Sequence, residues 1–231
     1  MIGEALEQAL VRLVALDPEV WDAVRVSVTV SGTATVIALL LGLPLGVAVA
    51  LSRFPGKRGV VTTLNTLMAL PTVVVGLVIY GLLSRSGPLG GAELLYTRTA
   101  MIIGQTVLAL PIVAALVIAA LQQADPRLRP TAWALGATPW QARWTVVREC
   151  RGGLLAAGAA AFGRVFAEVG VSMMLGGNLR WETRNLATGV AFETGKGEFA
   201  LGLALGIVLL VVALGVNAVA VGLNPSRGRS P

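Results

Sequence analysis

The sequence contains no histidine, a single cysteine, and only 13% charged residues. Without histidine there is no His-ligated metal site and no imidazole base for a serine or cysteine nucleophile. One cysteine, Cys150, cannot close an internal disulfide and reads as a small, reduced residue. Paired carboxylates at a pocket-like spacing are missing. So is a phosphate-binding loop: Gly195-Lys196-Gly197 comes nearest, but it lacks the upstream glycine, and Gly197 stands where Ser or Thr would hold magnesium. These absences exclude an ATP site. They leave no ground for reading the chain as an enzyme by itself, and no cofactor or metal is expected.

What fills the chain is apolar sequence. Hydrophobic residues make up 55% of it, mean hydropathy is +0.80, and soluble domains carry about twice this charge, roughly 25%. An all-α, polytopic membrane protein follows, with room for about five or six spans of roughly 20 residues. The net charge of +6 is scattered through short loops. It reads as a topology signal rather than a nucleic-acid surface.

Residues 1–23 are weakly amphipathic and acidic (Glu4, Glu7, Asp17, Glu19 and Asp22 against Arg12) and lack the ordered parts of a secretory signal. They predict a short helix at the membrane surface. Five spans are then expected, at 24–51, 60–83, 100–121, 154–175 and 199–221, together forming one membrane domain over 24–222. Gly42 and Gly46 form a GxxxG spacing that admits a close neighbour. Pro44 should bend the first span, and Pro71 and Pro111 should kink the second and third.

The loop SRFPGKRG concentrates Arg53, Lys57 and Arg58, which assigns it to the cytoplasm. Alternation then puts the N-terminus outside and the basic tail, 223–231, inside a cell (inner) membrane. On this assignment ten of the eighteen basic residues but only two of the twelve acids face inward.

The long polar interruption is 125–153, DPRLRPTAWALGATPWQARWTVVRECRGG, which holds five arginines and three of the five tryptophans. Asp125-Pro126 is a helix start, Gly136 a stop, and Thr138-Pro139 a second start. The product is a helical hairpin at the inner surface. Its tip, with Ala132, Ala134, Gly136 and Ala137, is small enough to enter a groove on another protein, although a surface hairpin anchored by tryptophans satisfies the same pattern.

This stretch resembles the cytoplasmic EAA loop of ABC importer permeases, in which Glu-Ala-Ala, three residues and Gly are followed after nine more by Ile-x-Leu-Pro. Pro130 stands at the Glu position, Thr131 and Ala132 at the Ala positions, Gly136 at the glycine and Val146 at the Ile, while Arg148-Glu149 replaces Leu-Pro. Downstream, Gly163-Arg164, Glu168-x-Gly170, Gly176-Gly177-Asn178 and Thr183-Arg184-Asn185-Leu186 resemble the permeases of oxyanion importers for molybdate and especially tungstate.

The resemblance implies a type I importer (MetI-like) permease fold and a two-fold dimer with a second copy of the chain. A cytoplasmic ABC ATPase would dock at Thr131, Ala132, Ala134, Gly136, Ala137 and Thr138, and a substrate-binding protein would dock outside. Molybdate and sulfate stay open beside tungstate. A stand-alone secondary carrier or channel, or a membrane scaffold, is the rival class. Carriers often show two similar halves and midmembrane carboxylates, whereas no duplication is visible here.

Arg164 and Glu168 fall inside the fourth span. A charge at the bilayer centre costs about 2.5 to 3.5 kcal/mol, so both should face protein or water. At i and i+4 they can pair, either as a structural ion pair or as part of an anion route. Asn178, Arg180 and Arg184, near the outer mouth, could line that route or simply bond the loop ends.

Overall fold

The computed structural model describes residues 2–222; the expected tail, 223–231, lies outside the described residues. Among them all regular structure is helical. Three helices are long and apolar enough to cross a bilayer: α2 (Pro18–Leu51), α5 (Arg98–Gln122) and α11 (Phe199–Gly222). Two further spans are bent. In one, α3 (Lys57–Met68) meets α4 (Thr72–Leu83) at 94°; in the other, α8 (Arg151–Phe166) meets α9 (Gly170–Gly176) at 58°. The remaining α-helices are α1 (Ile2–Val14), α6 (Leu128–Ala134), α7 (Pro139–Glu149) and α10 (Leu186–Lys196), with one 3-10 turn at Gly90–Ala92.

Local chemistry sets these boundaries. Asp17 accepts the Glu19 amide at 2.9 Å and Pro18 fills the first helical position, so α2 starts at 18 and absorbs residues expected to lie on the surface. Its 34 residues span about 50 Å against about 30 Å of hydrocarbon, so an end extends past the apolar layer. The surface helix shortens to α1, whose Ala9 is fully buried in a cluster with Leu201 and Leu205 of α11. At the far end of α2, Lys57 Nζ donates to the Ala50 and Ser52 carbonyls at 2.7 and 3.1 Å, satisfying acceptors that the last turn frees.

The core is built around α5. The GxxxG spacing serves contact within the chain: a Cβ on Gly46 would lie 2.7 Å from Val117 Cγ1, and one on Gly42 2.9 Å from Val113 Cγ1. Pro44 and Pro111 sit inside unbroken helices. Only Pro71 divides its span, as the cap residue of α4. The fourth span, expected as one helix, breaks at 167–169 without a proline. There Glu168 Oε1 accepts the freed Val171 amide at 3.3 Å. Gly170 lets α9 approach α4 closely, because a Cβ there would come within 2.9 Å of both Thr72 Oγ1 and Val73 Cγ2.

Hydroxyls on one face of α2 tie the bundle together. Ser27 Oγ accepts the Leu186 amide at 2.7 Å, and Ser31 Oγ donates to Val165 O at 3.4 Å. The first answers an amide left free at the start of α10; the second adds to a carbonyl at the end of α8 that also accepts the Glu168 amide.

Candidate functional site

The hairpin forms as two short helices around one left-handed residue. Gly136 has φ +86°; its amide donates to Trp133 O at 2.9 Å and the Ala137 amide donates to Ala132 O at 3.0 Å. That pair of bonds is a Schellman closure of α6, which favours glycine at this position. Thr138 then caps α7: its Oγ1 accepts the Gln141 amide at 3.3 Å, while Gln141 Oε1 accepts the Thr138 amide at 2.7 Å. Asp125 caps a turn instead, accepting the Arg127 amide at 2.8 Å, and α6 starts only at Leu128.

Of the six residues expected at the docking tip, Thr131, Ala134, Gly136 and Thr138 are exposed, Ala137 is half-buried, and Ala132 is buried. The tip is not bare. Leu135 is 83% exposed and Trp140 73%, with Trp133 and Trp144 also open. The small-residue reading passed over Leu135, although a leucine beside a helix-ending glycine is held outward by the turn.

The hairpin is joined directly to the bundle. Only Cys150 separates α7 from α8, and burial, followed by the Glu149 carboxylate, pushes its thiol pKa up. A cavity of about 800 Å³ opens beside it between α5 and α8, bordered by Ala120, Cys150, Gly153, Ala156 and Ala160. Beside an exposed Leu155, the surface of α8 carries Ala156 and Ala160, then Arg164 at the bend, with Ala167 just past it. Exposed faces of α2, α4 and α11 carry Leu40, Leu45, Leu77, Leu210 and Leu214 instead. Large apolar side chains suit lipid; alanines leading to an arginine suit water or protein.

At the bend Arg164 Nη1 donates to Glu168 Oε2 at 2.6 Å. Arg184, by contrast, is 3% exposed and does not face an open route. Its Nη1 donates to Glu19 and lies 2.8 Å from Glu193 Oε1, so two carboxylates neutralise it and it ties the start of α2 to α10. Arg180 Nε reaches the same Glu19 at 2.9 Å. Of the two readings open for Arg184, lining a route or bonding the loop ends, this geometry favours the second. Glu19, read in the sequence only as part of the acidic N-terminal segment, and Glu193 are the counter-charges of Arg184. Asn178 is buried as well, in a left-handed conformation (φ 53°), with its side-chain amide unbonded among the described residues. Among those residues no group of three or more His, Cys, Asp or Glu is gathered as a metal site would require.

Residues 42–229 match the family model of the binding-protein-dependent transport system inner membrane component. The chain belongs to that family. A probable anion ABC transporter permease protein of Haloferax volcanii is 44% identical over 198 residues, covering 84% of this chain and 85% of that protein. The tungstate uptake system permease protein TupB of Peptoclostridium acidaminophilum is 38% identical over 218 residues, 94% and 96% of the two chains. Among solved structures, the permease fold of an inward-facing MetNI methionine ABC transporter superposes with a TM-score of 0.71 at 21% identity, over 93% of this chain and 97% of that one. The expected MetI-like fold is therefore the fold of this permease, a multi-pass membrane protein. Permease components of this family are not enzymes themselves.

Proposed function

We propose that the permease is the membrane subunit of an ATP-driven importer of a tetrahedral oxyanion, tungstate first, and that it works as a two-fold dimer. The observation that carries this reading is the capped hairpin 128–149, which projects Leu135 and Trp140 from the end of the bundle. An ordered turn with large exposed apolar side chains is built to be covered by a partner. A cytoplasmic ABC ATPase fits that place, with the hairpin inside the cell and the N-terminus outside. A substrate-binding protein meets the opposite face. Selection of tungstate over molybdate or sulfate belongs mainly to that external protein. The names of the relatives support the anion class.

Movement follows from connectivity. A push on the hairpin passes to α8 through one residue, Cys150, while the start of the hairpin is anchored to the end of α5. Tilting the hairpin therefore turns α8 against α5 and changes the cavity between them. The bend at 167–169 keeps α9, packed on α4, from moving with α8. Inner and outer halves of the route can then open alternately. Arg164 stands at the junction, where its cationic side chain meets the anion, and Glu168 holds it there.

A stand-alone carrier would have no use for such a hairpin. The test uses Ala134→Cys or Ala137→Cys in a Cys150→Ser background. A bifunctional cross-linker is expected to capture the ATPase, and a maleimide that cannot cross the membrane is expected to label neither position from outside. Labelling from outside, or capture of no ATPase, would overturn the reading.

A further inference from the structure

A second polar feature lies away from the hairpin tip and the bend. Four cations gather around the C-terminal end of α2: Arg53, Lys57, Arg58 and Arg129. The helix end accounts for two of them. Lys57 Nζ donates to the Ala50 and Ser52 carbonyls, and Arg129 Nη1 donates to Leu51 O at 3.5 Å while its guanidinium stacks 5.6 Å from the Trp133 ring centre. Arg53 and Arg58 are exposed and form no ion pair among the described residues. With Lys57, Phe54 and Gln122 they line a pocket of about 540 Å³ that contains no carboxylate. Two uncompensated arginines, with Lys57 beside them, thus face one recess that contains no carboxylate.

The place of this recess restricts what can fill it. It is formed by the turn after α2, the first turns of α3 and Gln122 at the end of α5; because α2 and α5 are long and apolar enough to span the bilayer, their ends lie where hydrocarbon gives way to headgroups. Phe54, 39% exposed, supplies an apolar edge beside the cations. We propose that this pocket holds the phosphate of an anionic phospholipid headgroup, with Arg53 and Arg58 on its oxygens and Lys57 beneath. A phosphodiester at this depth is the anion present at high local concentration, and cations near such a surface each add to its retention. The proposal needs only headgroup depth and holds for either leaflet. Its consequence reaches the hairpin, since Arg129 links the end of α2 to α6 and the bound headgroup would steady that root.

The test uses purified full-length permease in detergent, with phosphatidylglycerol or phosphatidylcholine added and bound lipid counted by native mass spectrometry. Wild type is expected to retain phosphatidylglycerol selectively, and the Arg53→Gln/Arg58→Gln variant to bind it on the order of tenfold more weakly. An Arg143→Gln/Arg148→Gln variant, which removes equal charge elsewhere, should bind as wild type does. Equal retention by wild type and the first variant overturns the proposal, as does an equal loss in both variants. Displacement of the lipid by inorganic phosphate at similar concentration would mark a site for small anions, contradicting a lipid site. Loss of ATPase association with lipid retention unchanged would mark a protein contact and equally overturn it.

Discussion

Arg164 and Glu168 are joined at 2.6 Å across the break between α8 and α9, the carboxylate side chain 4% exposed and the arginine side chain 46%. The asymmetry gives the two residues different jobs. Glu168 also accepts the Val171 amide and so belongs to the structure of the bend, whereas the Arg164 side chain stays open enough to meet a further partner.

Replacement should therefore separate stability from transport. Glu168→Ala removes the amide acceptor and the pair, and is expected to lower stability by about 1 to 3 kcal/mol. Arg164→Gln should keep the membrane fold and ATPase association while reducing oxyanion uptake by at least about tenfold, with Arg164→Lys recovering part of it. Thermal unfolding in detergent and uptake measured by metal analysis of washed cells read the two effects. Normal uptake by Arg164→Gln would remove the residue from the route.

Gly46 predicts a packing defect. A valine there would bring its Cβ within 2.9 Å of the Ala114 carbonyl as well as into Val117. Overpacking of this kind costs about 1 to 3 kcal/mol. The melting temperature of Gly46→Val should fall, while dimer cross-linking of the fraction that folds should be unchanged, since the glycine packs within its own chain.

The hairpin makes a graded prediction. At φ +86° an L-residue other than glycine costs about 1 to 2 kcal/mol, less for asparagine, so uptake should rank Gly136 above Gly136→Asn above Gly136→Val. Leu135→Ser and Trp140→Ala leave the turn intact and should each weaken ATPase association by about fivefold or more. Pull-down with the ATPase measures this, and insertion into membranes should not change.

Much of this architecture was legible in the sequence because membrane helices announce themselves by length and missing charge, and caps by Gly136 and Thr138. The bend at 167–169 was harder to read. Proline signals a break through its missing amide, but Gly170 matters only once Thr72 and Val73 of α4 are beside it, and sequence spacing does not show that contact. Arg184 kept two readings for a related reason. Its neutralising partners, Glu19 and Glu193, come from distant helices, and sequence spacing does not show that the fold brings all three together.

Cys150 offers a probe that needs no engineering. Its thiol pKa is raised by burial and then by Glu149, so the reactive thiolate is scarcer than for a free cysteine at any pH below the shifted value. Maleimide labelling at pH 7 should be slower than that of a free cysteine and should accelerate with mild alkalinity. In sealed cells an impermeant reagent should leave Cys150 unlabelled until the membrane is opened.

The most direct measurement reconstitutes the permease with its ATPase in vesicles, adds the binding protein and tungstate on the side opposite the ATPase, and follows tungstate accumulation against its gradient. Accumulation that requires both ATP and the binding protein, and that Leu135→Ser diminishes, is the predicted result. Tungstate equilibrating across the vesicle membrane without ATP or the ATPase would show a carrier or channel and contradict the account.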